Sequence, residues 1–167
     1  DHNKEEKAPV LVARMLEGKS VALVSDAGTP GISDPGYFLI NLAIDQKIPV
    51  VPIPGATAAI AALSISGMPT DRFIFEGFLP AKHLARQKRL QALVTEERTL
   101  IFYEAPHKII KAVEDMLEIL GDRHAVITRE LTKIHEEAIR GTLSEILKRL
   151  NEGSIKGEFT VIVHGAS

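Results

Sequence analysis

Three glutamates stand where apolar runs come to an end. Glu76 lies in Arg72-Phe73-Ile74-Phe75-Glu76-Gly77-Phe78, Glu104 closes Thr99-Leu100-Ile101-Phe102-Tyr103-Glu104, and Glu130 follows Ala125-Val126-Ile127-Thr128-Arg129. One such carboxylate is either a satisfied rim residue or part of a polar cleft; three at three strand ends favour a shared cleft. Lys133 follows Glu130 by three residues and can pair with it, either as a brace or within that cleft. A second set is Ser25-Asp26-Ala27-Gly28-Thr29-Pro30-Gly31-Ile32-Ser33-Asp34-Pro35-Gly36. Glycines there let backbone approach a ligand, and small polar side chains supply directed hydrogen bonds. The same residues also suit ordinary turns, with Asp34 as a helix N-cap and Pro35 at N1. Twelve residues exceed what a connection needs, which favours ligand binding. Neither Gly-x-Gly-x-x-Gly nor Gly-Lys-Ser/Thr occurs, so the loop is no dinucleotide fingerprint or P-loop.

The elements that must carry these residues follow from periodicity. Ala8, Leu11, Val12, Met15 and Leu16 have helical spacing, with Gly18 as a stop and Pro9 expected in or near the first turn. Ser20–Ser25 predicts a strand, the loop follows, and a helix is expected from Pro35 to Gln46. Residues 48–53 predict a second strand, joined by a right-handed parallel crossover. It ends in Pro54-Gly55-Ala56-Thr57-Ala58, and a helix runs from there to Ser66. Two strands ending in small-residue turns at one sheet edge build a crevice, where open parallel sheets bind ligands. A tight helix–sheet contact is the other reading of the second turn.

Beyond Pro69 the pattern changes. Strands are expected at 72–78, 99–104, 125–131, 137–141 and 158–163, with helices at 82–95, after Pro106, and at 146–150 behind the capping box Thr142-Leu143-Ser144-Glu145. This predicts an α/β chain in two lobes, residues 1–70 and 71–167, with a mixed sheet in the second.

Composition narrows the function. The chain has 167 residues, 45% apolar and 25% charged, with a net charge of -2. No global field draws nucleic acid or membrane, so a polyanion must be held by a local patch. Lys82-His83-Leu84-Ala85-Arg86-Gln87-Lys88-Arg89 is such a stretch, as a solvated helix face or a phosphate contact. There is no cysteine, hence no disulfide or thiolate site, and the six histidines lack ligand spacing, so no metal is expected. No apolar run approaches the ~20 residues of a membrane helix, and a cytoplasmic protein without a membrane partner is expected.

Six blocks then carry a resemblance: Val24-Ser25-Asp26-Ala27-Gly28-Thr29-Pro30, Ser33-Asp34-Pro35-Gly36, Pro52-Ile53-Pro54-Gly55, Glu76-Gly77-Phe78-Leu79-Pro80, Phe102-Tyr103-Glu104 and Arg129-Glu130-Leu131-Thr132-Lys133. In this order they resemble the tetrapyrrole methylase superfamily, and within it the bacterial branch that 2′-O-methylates a cytidine of small-subunit ribosomal RNA. Corrinoid-acting relatives usually carry Gly-Asp-Pro in the first loop, whereas Asp26-Ala27-Gly28 stands here. The resemblance implies a two-lobed fold with a partial parallel sheet in the first lobe and S-adenosylmethionine in the cleft between lobes. Its contacts would map to Asp26, Ala27, Gly28, Thr29 and Pro30, to Gly55, Ala56, Thr57 and Ala58, and to Phe78 and Leu79. It implies the small ribosomal subunit or its RNA as partner, and a homodimer. A ribose hydroxyl needs its proton removed, and Glu76, Glu104, Glu130 and Lys133 are the candidate catalytic groups.

The family's amino-terminal strands and a Thr-Pro-x-Gly-Asn loop find no match in this chain. The expectation is therefore a fragment that is itself inactive and binds the cofactor weakly or not at all, with the longer parent as the methyltransferase. Two rival readings remain: a corrin or porphyrin methylase, and a non-catalytic ligand-binding module using the same loops.

Overall fold

The computed structural model of the chain describes residues 4–153 and 155–166. The chain forms two compact units, one ending at Thr57 and the other beginning at Ala58.

The first unit packs helix α1 (Lys4–Leu16) on helix α2 (Tyr37–Asp45), burying Ala8, Val12 and Ala43. Pro9 is the sixth residue of α1, not in its first turn. One turn of helix precedes it, so the missing N–H and the ring's crowding act near the helix start. The N-cap of α2 is Gly36, at φ 150° and without a side-chain cap, rather than Asp34. That φ is one that side chains rarely adopt, which favours glycine; a Cβ there would also lie 2.8 Å from the flexible end of Leu23.

The expected parallel strands at 20–25 and 48–53 are not formed, and no strand is assigned in the first unit's described residues. Pro49 and Pro52 remove donors from one run. Val24, Val51 and Ile53 are 81%, 74% and 82% exposed, so no layer covers the side chains that would drive strand formation.

The second unit runs α3 (Ala58–Ser66), β1 (Phe73–Phe78), α4 (His83–Gln91), β2 (Thr99–Glu104), α5 (Ile109–Leu120), β3 (His124–Arg129), β4 (Glu137–Thr142), α6 (Leu143–Glu152), β5 (Phe159–Val163). Its sheet is mixed, in the order β1-β2-β5-β3-β4. Only β1 and β2 pair in parallel; the remaining pairs are antiparallel. Alternation along the strands separates two cores. Leu100, Phe102, Ile127 and Val161 face α5 and α6, where Ile109, Val113, Met116 and Ile146 are buried. Ile101, Val126 and Ile162 face α3 through Ala59, Ala62 and Leu63. Each fully buried side chain of this size contributes about 1.5–3 kcal/mol. The alanines of α3 let it lie close on β2 and β5, so this helix, grouped by sequence with the first lobe, packs on the second unit's sheet. Thr142 and Glu145 form the expected capping box at α6.

Candidate functional site

In the first unit the two small-residue loops meet. Thr29 Oγ1 donates to the Ala56 carbonyl at 3.2 Å, and a Cβ on Gly55 would lie 3.9 Å from that same Oγ1. The longer loop is shaped by Ser25 Oγ, which donates to the Ala27 carbonyl, and by Ile32 N–H, which donates to the Thr29 carbonyl. Gly28 and Gly31 take φ of 73° and 85°, a left-handed region that glycine enters without strain. Asp26, Ala27, Gly28, Gly55 and Ala56 are exposed, while Thr29, Pro30 and Thr57 are half-buried. The joined loops thus present backbone and mostly small side chains, with Asp26 as their exposed carboxylate and Asp34 half-buried.

In the second unit β3 runs in the same sense as β1 and β2, so the three strands end at one sheet edge. Glu104 and Arg129 both pair with Phe159, which sets Glu104 and the following Glu130 two strand spacings apart, ~10 Å. They share an edge but make no direct contact. Glu76 is set back at an irregularity between Phe75 and Gly77. There Arg89 of α4 grips it through both oxygens, at 2.5 and 2.8 Å. Such a bidentate pair fixes direction as well as charge.

Glu104 is 3% exposed, and its Oε1 accepts from the Ala105 N–H at 2.8 Å. Burial pushes its carboxyl above the ordinary value, opposed by that N–H and by the positive charges of Lys108, Arg86 and His107. Glu130 behaves oppositely. Its Oε1 accepts from the Glu158 N–H at 2.9 Å and from Lys133 Nζ at 3.0 Å, and both lower its pKa, the N–H foremost. Lys133 also reaches Glu158 Oε2 at 3.1 Å, and these two carboxylates raise its pKa. The network ties the turn after β3 to the start of β5, where Glu130 N–H donates to the Glu158 carbonyl. It matches the bracing reading of the Glu130–Lys133 couple.

Phe78 is 56% exposed and Leu79 is buried in the larger core, leaving Leu79 only its backbone for a ligand. Ala58 begins α3 and is exposed. The basic stretch 82–89 is largely committed to the fold. Arg86 is 5% exposed and bonds Asp115 at 2.5 Å, while Arg89, exposed, holds Glu76 and His83, exposed, lies against Asp115, so Lys82 and Lys88 are the basic groups of this stretch without a carboxylate partner among the described residues.

Sequence reasoning placed Tyr103 in a strand-end block without giving it a role, and it missed Asp115. Tyr103 sits inside an apolar run and Asp115 inside an amphipathic helix; the aspartate on that helix's buried face was the available signal.

Residues 1–147 match the family model described as Tetrapyrrole (Corrin/Porphyrin) Methylases. The chain belongs to the tetrapyrrole methylase family. Within that family, the chain is 52% identical over 165 residues to the "Ribosomal RNA small subunit methyltransferase I" of Halalkalibacterium halodurans, covering 99% of this chain and 57% of the relative. The chain therefore spans little more than half the length of that relative. Among solved structures, the methyltransferase CobJ matches with a TM-score of 0.70 at 20% identity, over 96% of this chain and 71% of CobJ. Uroporphyrin-III C-methyl transferase from Thermus thermophilus, complexed with S-adenyl homocysteine, matches at 0.61 and 16% identity, over 95% and 73%. These likenesses establish the methylase fold. No helix among the described residues is long and apolar enough to cross a membrane.

Proposed function

We propose that this chain serves S-adenosylmethionine-dependent methylation of small-subunit ribosomal RNA, with a cytidine 2′-hydroxyl as acceptor. The observation that carries the reading is identity at about half of all positions, over nearly the whole chain, with an enzyme named for that RNA. The uroporphyrin methylase holding S-adenyl homocysteine supports the choice of methyl donor.

The residues present fit such a donor. Most side chains across the joined loops are small, Ile32 being the main exception, and Gly28 and Gly55 leave room for backbone contact. Donor contacts are assigned to Asp26, Ala27, Gly28, Thr29 and Pro30, to Gly55, Ala56, Thr57 and Ala58, and to Phe78 and Leu79. When bound, S-adenosylmethionine supplies an electrophilic methyl group on a sulfonium. Asp26 offers its carboxylate to a cationic part of a ligand, and Thr29 holds the loops at fixed separation through Ala56. Placement of reactants supplies much of the acceleration in a two-substrate transfer.

The acceptor hydroxyl must also lose a proton. Among the four candidates, Glu104 is assigned that role. It forms no ion pair among the described residues, and burial raises its affinity for a proton. Glu76, Glu130 and Lys133 are assigned to positioning, since each is held by an opposite charge.

The test is transfer of a labelled methyl group from S-adenosylmethionine to small ribosomal subunits, with corrin and porphyrin acceptors in parallel. Label recovered in 2′-O-methylcytidine is the expected result. Label in the tetrapyrrole alone overturns the assigned acceptor.

A further inference from the structure

We propose that Tyr103 is a positioning residue for the methyl-donor site, a role that rests on the function proposed above and deepens it. Its hydroxyl accepts a hydrogen bond from the Ala59 N–H at 3.0 Å. Ala59 is the second residue of α3, so this N–H is one of the four at a helix start without a partner inside the helix. On its other side the Tyr103 ring meets Phe78 edge-on, with centroids 5.7 Å apart at 61°. Phe75 backs the same ring at 4.9 Å and 70°. One side chain therefore holds two segments that are far apart in sequence. One is the point where the Gly55–Ala58 turn becomes α3; the other is the end of β1 at Phe78. Both are segments assigned to the donor.

Strand β2 makes Tyr103 a firm anchor. Phe102 and Glu104, its neighbours, are buried on the opposite face, and Tyr103 pairs with Thr160 of β5 and Phe78 of β1. The backbone beneath the phenol is thus fixed from both sides. An ordinary core aromatic would need no hydroxyl; this one spends its oxygen on a helix N-terminus next to a turn of small residues. Edge-to-face rings add further direction beyond their buried area.

Tyr103→Phe keeps the ring contacts and removes the acceptor, so it isolates the positioning role. Two measurements are made beside the unaltered chain. Amide hydrogen exchange at Ala59 and Ile60 is expected to quicken about tenfold, with Phe102 and Ile162 unchanged. Titration with S-adenosylhomocysteine into the millimolar range is expected to show roughly three- to tenfold weaker binding. Tyr103→Leu, which removes the ring as well, is expected to lose more. Equal affinity in Tyr103→Phe and the unaltered chain overturns the proposal, as does faster exchange spread across β2 and β5, the mark of a general loss of stability. Where the unaltered chain binds no S-adenosylhomocysteine, the exchange measurement decides: unchanged exchange at Ala59 and Ile60 in Tyr103→Phe overturns the proposal.

Discussion

Thr29 and Ala56, twenty-seven residues apart, are joined by one hydrogen bond from the threonine hydroxyl to the alanine carbonyl. The bond closes two loops on each other in a unit whose described residues form no strand. Thr29→Val preserves shape and removes the donor. An exposed side chain-to-backbone bond of this kind contributes about 0.5–1.5 kcal/mol. The variant is expected to weaken S-adenosylhomocysteine binding by up to about tenfold in calorimetry, while the unfolding of the second unit stays as it was.

Arg86 and Asp115 form a pair sealed between α4 and α5, with both side chains 7% exposed. His83 Nδ1 is 3.3 Å from the same carboxylate oxygen but is itself open to solvent. Arg86→Leu leaves a buried carboxylate with that histidine alone. Breaking one side of a buried pair costs about 3–5 kcal/mol, whereas replacing both partners by apolar residues is often neutral. Urea unfolding is expected to show a large loss for Arg86→Leu and most of it regained in Arg86→Leu/Asp115→Leu. A double variant as unstable as the single one would show that the pair stabilises by more than mutual neutralisation.

Legibility in the sequence follows the source of each element's stability. The strands at 73–78, 99–104, 124–129 and 159–163 were readable because their own apolar residues bury on both faces of the sheet. The α6 start was readable because Thr142 and Glu145 bond locally. The runs at 20–25 and 48–53 have the same apolar character, yet a strand also needs a neighbour's hydrogen bonds, which no local pattern reports. Likewise, three glutamates at strand ends were visible, but their partners were not. Arg89 lies thirteen residues from Glu76, and Glu158 lies twenty-eight from Glu130. The two loops were expected to meet because two parallel strands would end beside each other; those strands are not formed, and the loops are joined by Thr29 and Ala56 instead. The anchoring phenol of Tyr103 was not legible, since its partner Ala59 is forty-four residues away and offers only backbone.

Glu104 gives the fold a definite pH response. Its folded pKa lies above the ordinary 4.5 because burial disfavours the charged form. The native state therefore holds this proton more tightly than the unfolded chain. Stability from this group is fully present below pH 4.5 and is lost as pH rises through the folded pKa. Glu130, held below its ordinary value by the Glu158 N–H and Lys133, acts in the opposite sense: its contribution is present above the unfolded pKa and is lost as pH falls through the folded one. Glu104→Gln is expected to flatten the decline on the alkaline side of 4.5 and to leave the acid limb in place. Unfolding free energies across pH 3–8, measured for both proteins, check this. If Glu104 is also the base, the same variant loses about a hundredfold in methyl transfer with unchanged donor affinity.

The basic stretch makes the last prediction. Arg86 is buried against Asp115 and the half-exposed Arg89 is held by both oxygens of Glu76, so they have little charge to offer a phosphate. Lys82 and Lys88 are exposed and carry no ion pair among the described residues. With a net charge of -2 there is no long-range pull to mask their effect. Each phosphate neutralised on single-stranded RNA adds about 0.7 to the salt slope of log K. Lys82→Ala/Lys88→Ala is therefore expected to weaken binding to small-subunit RNA uniformly across sequences and to reduce the slope by about 1.4. Binding measured between 50 and 200 mM salt, roughly, resolves that change. An unaltered slope would mean that α4 is a solvated face and that RNA is held elsewhere. Arg89→Ala serves as the comparison, because it frees Glu76 and is expected to cost stability before it costs RNA affinity.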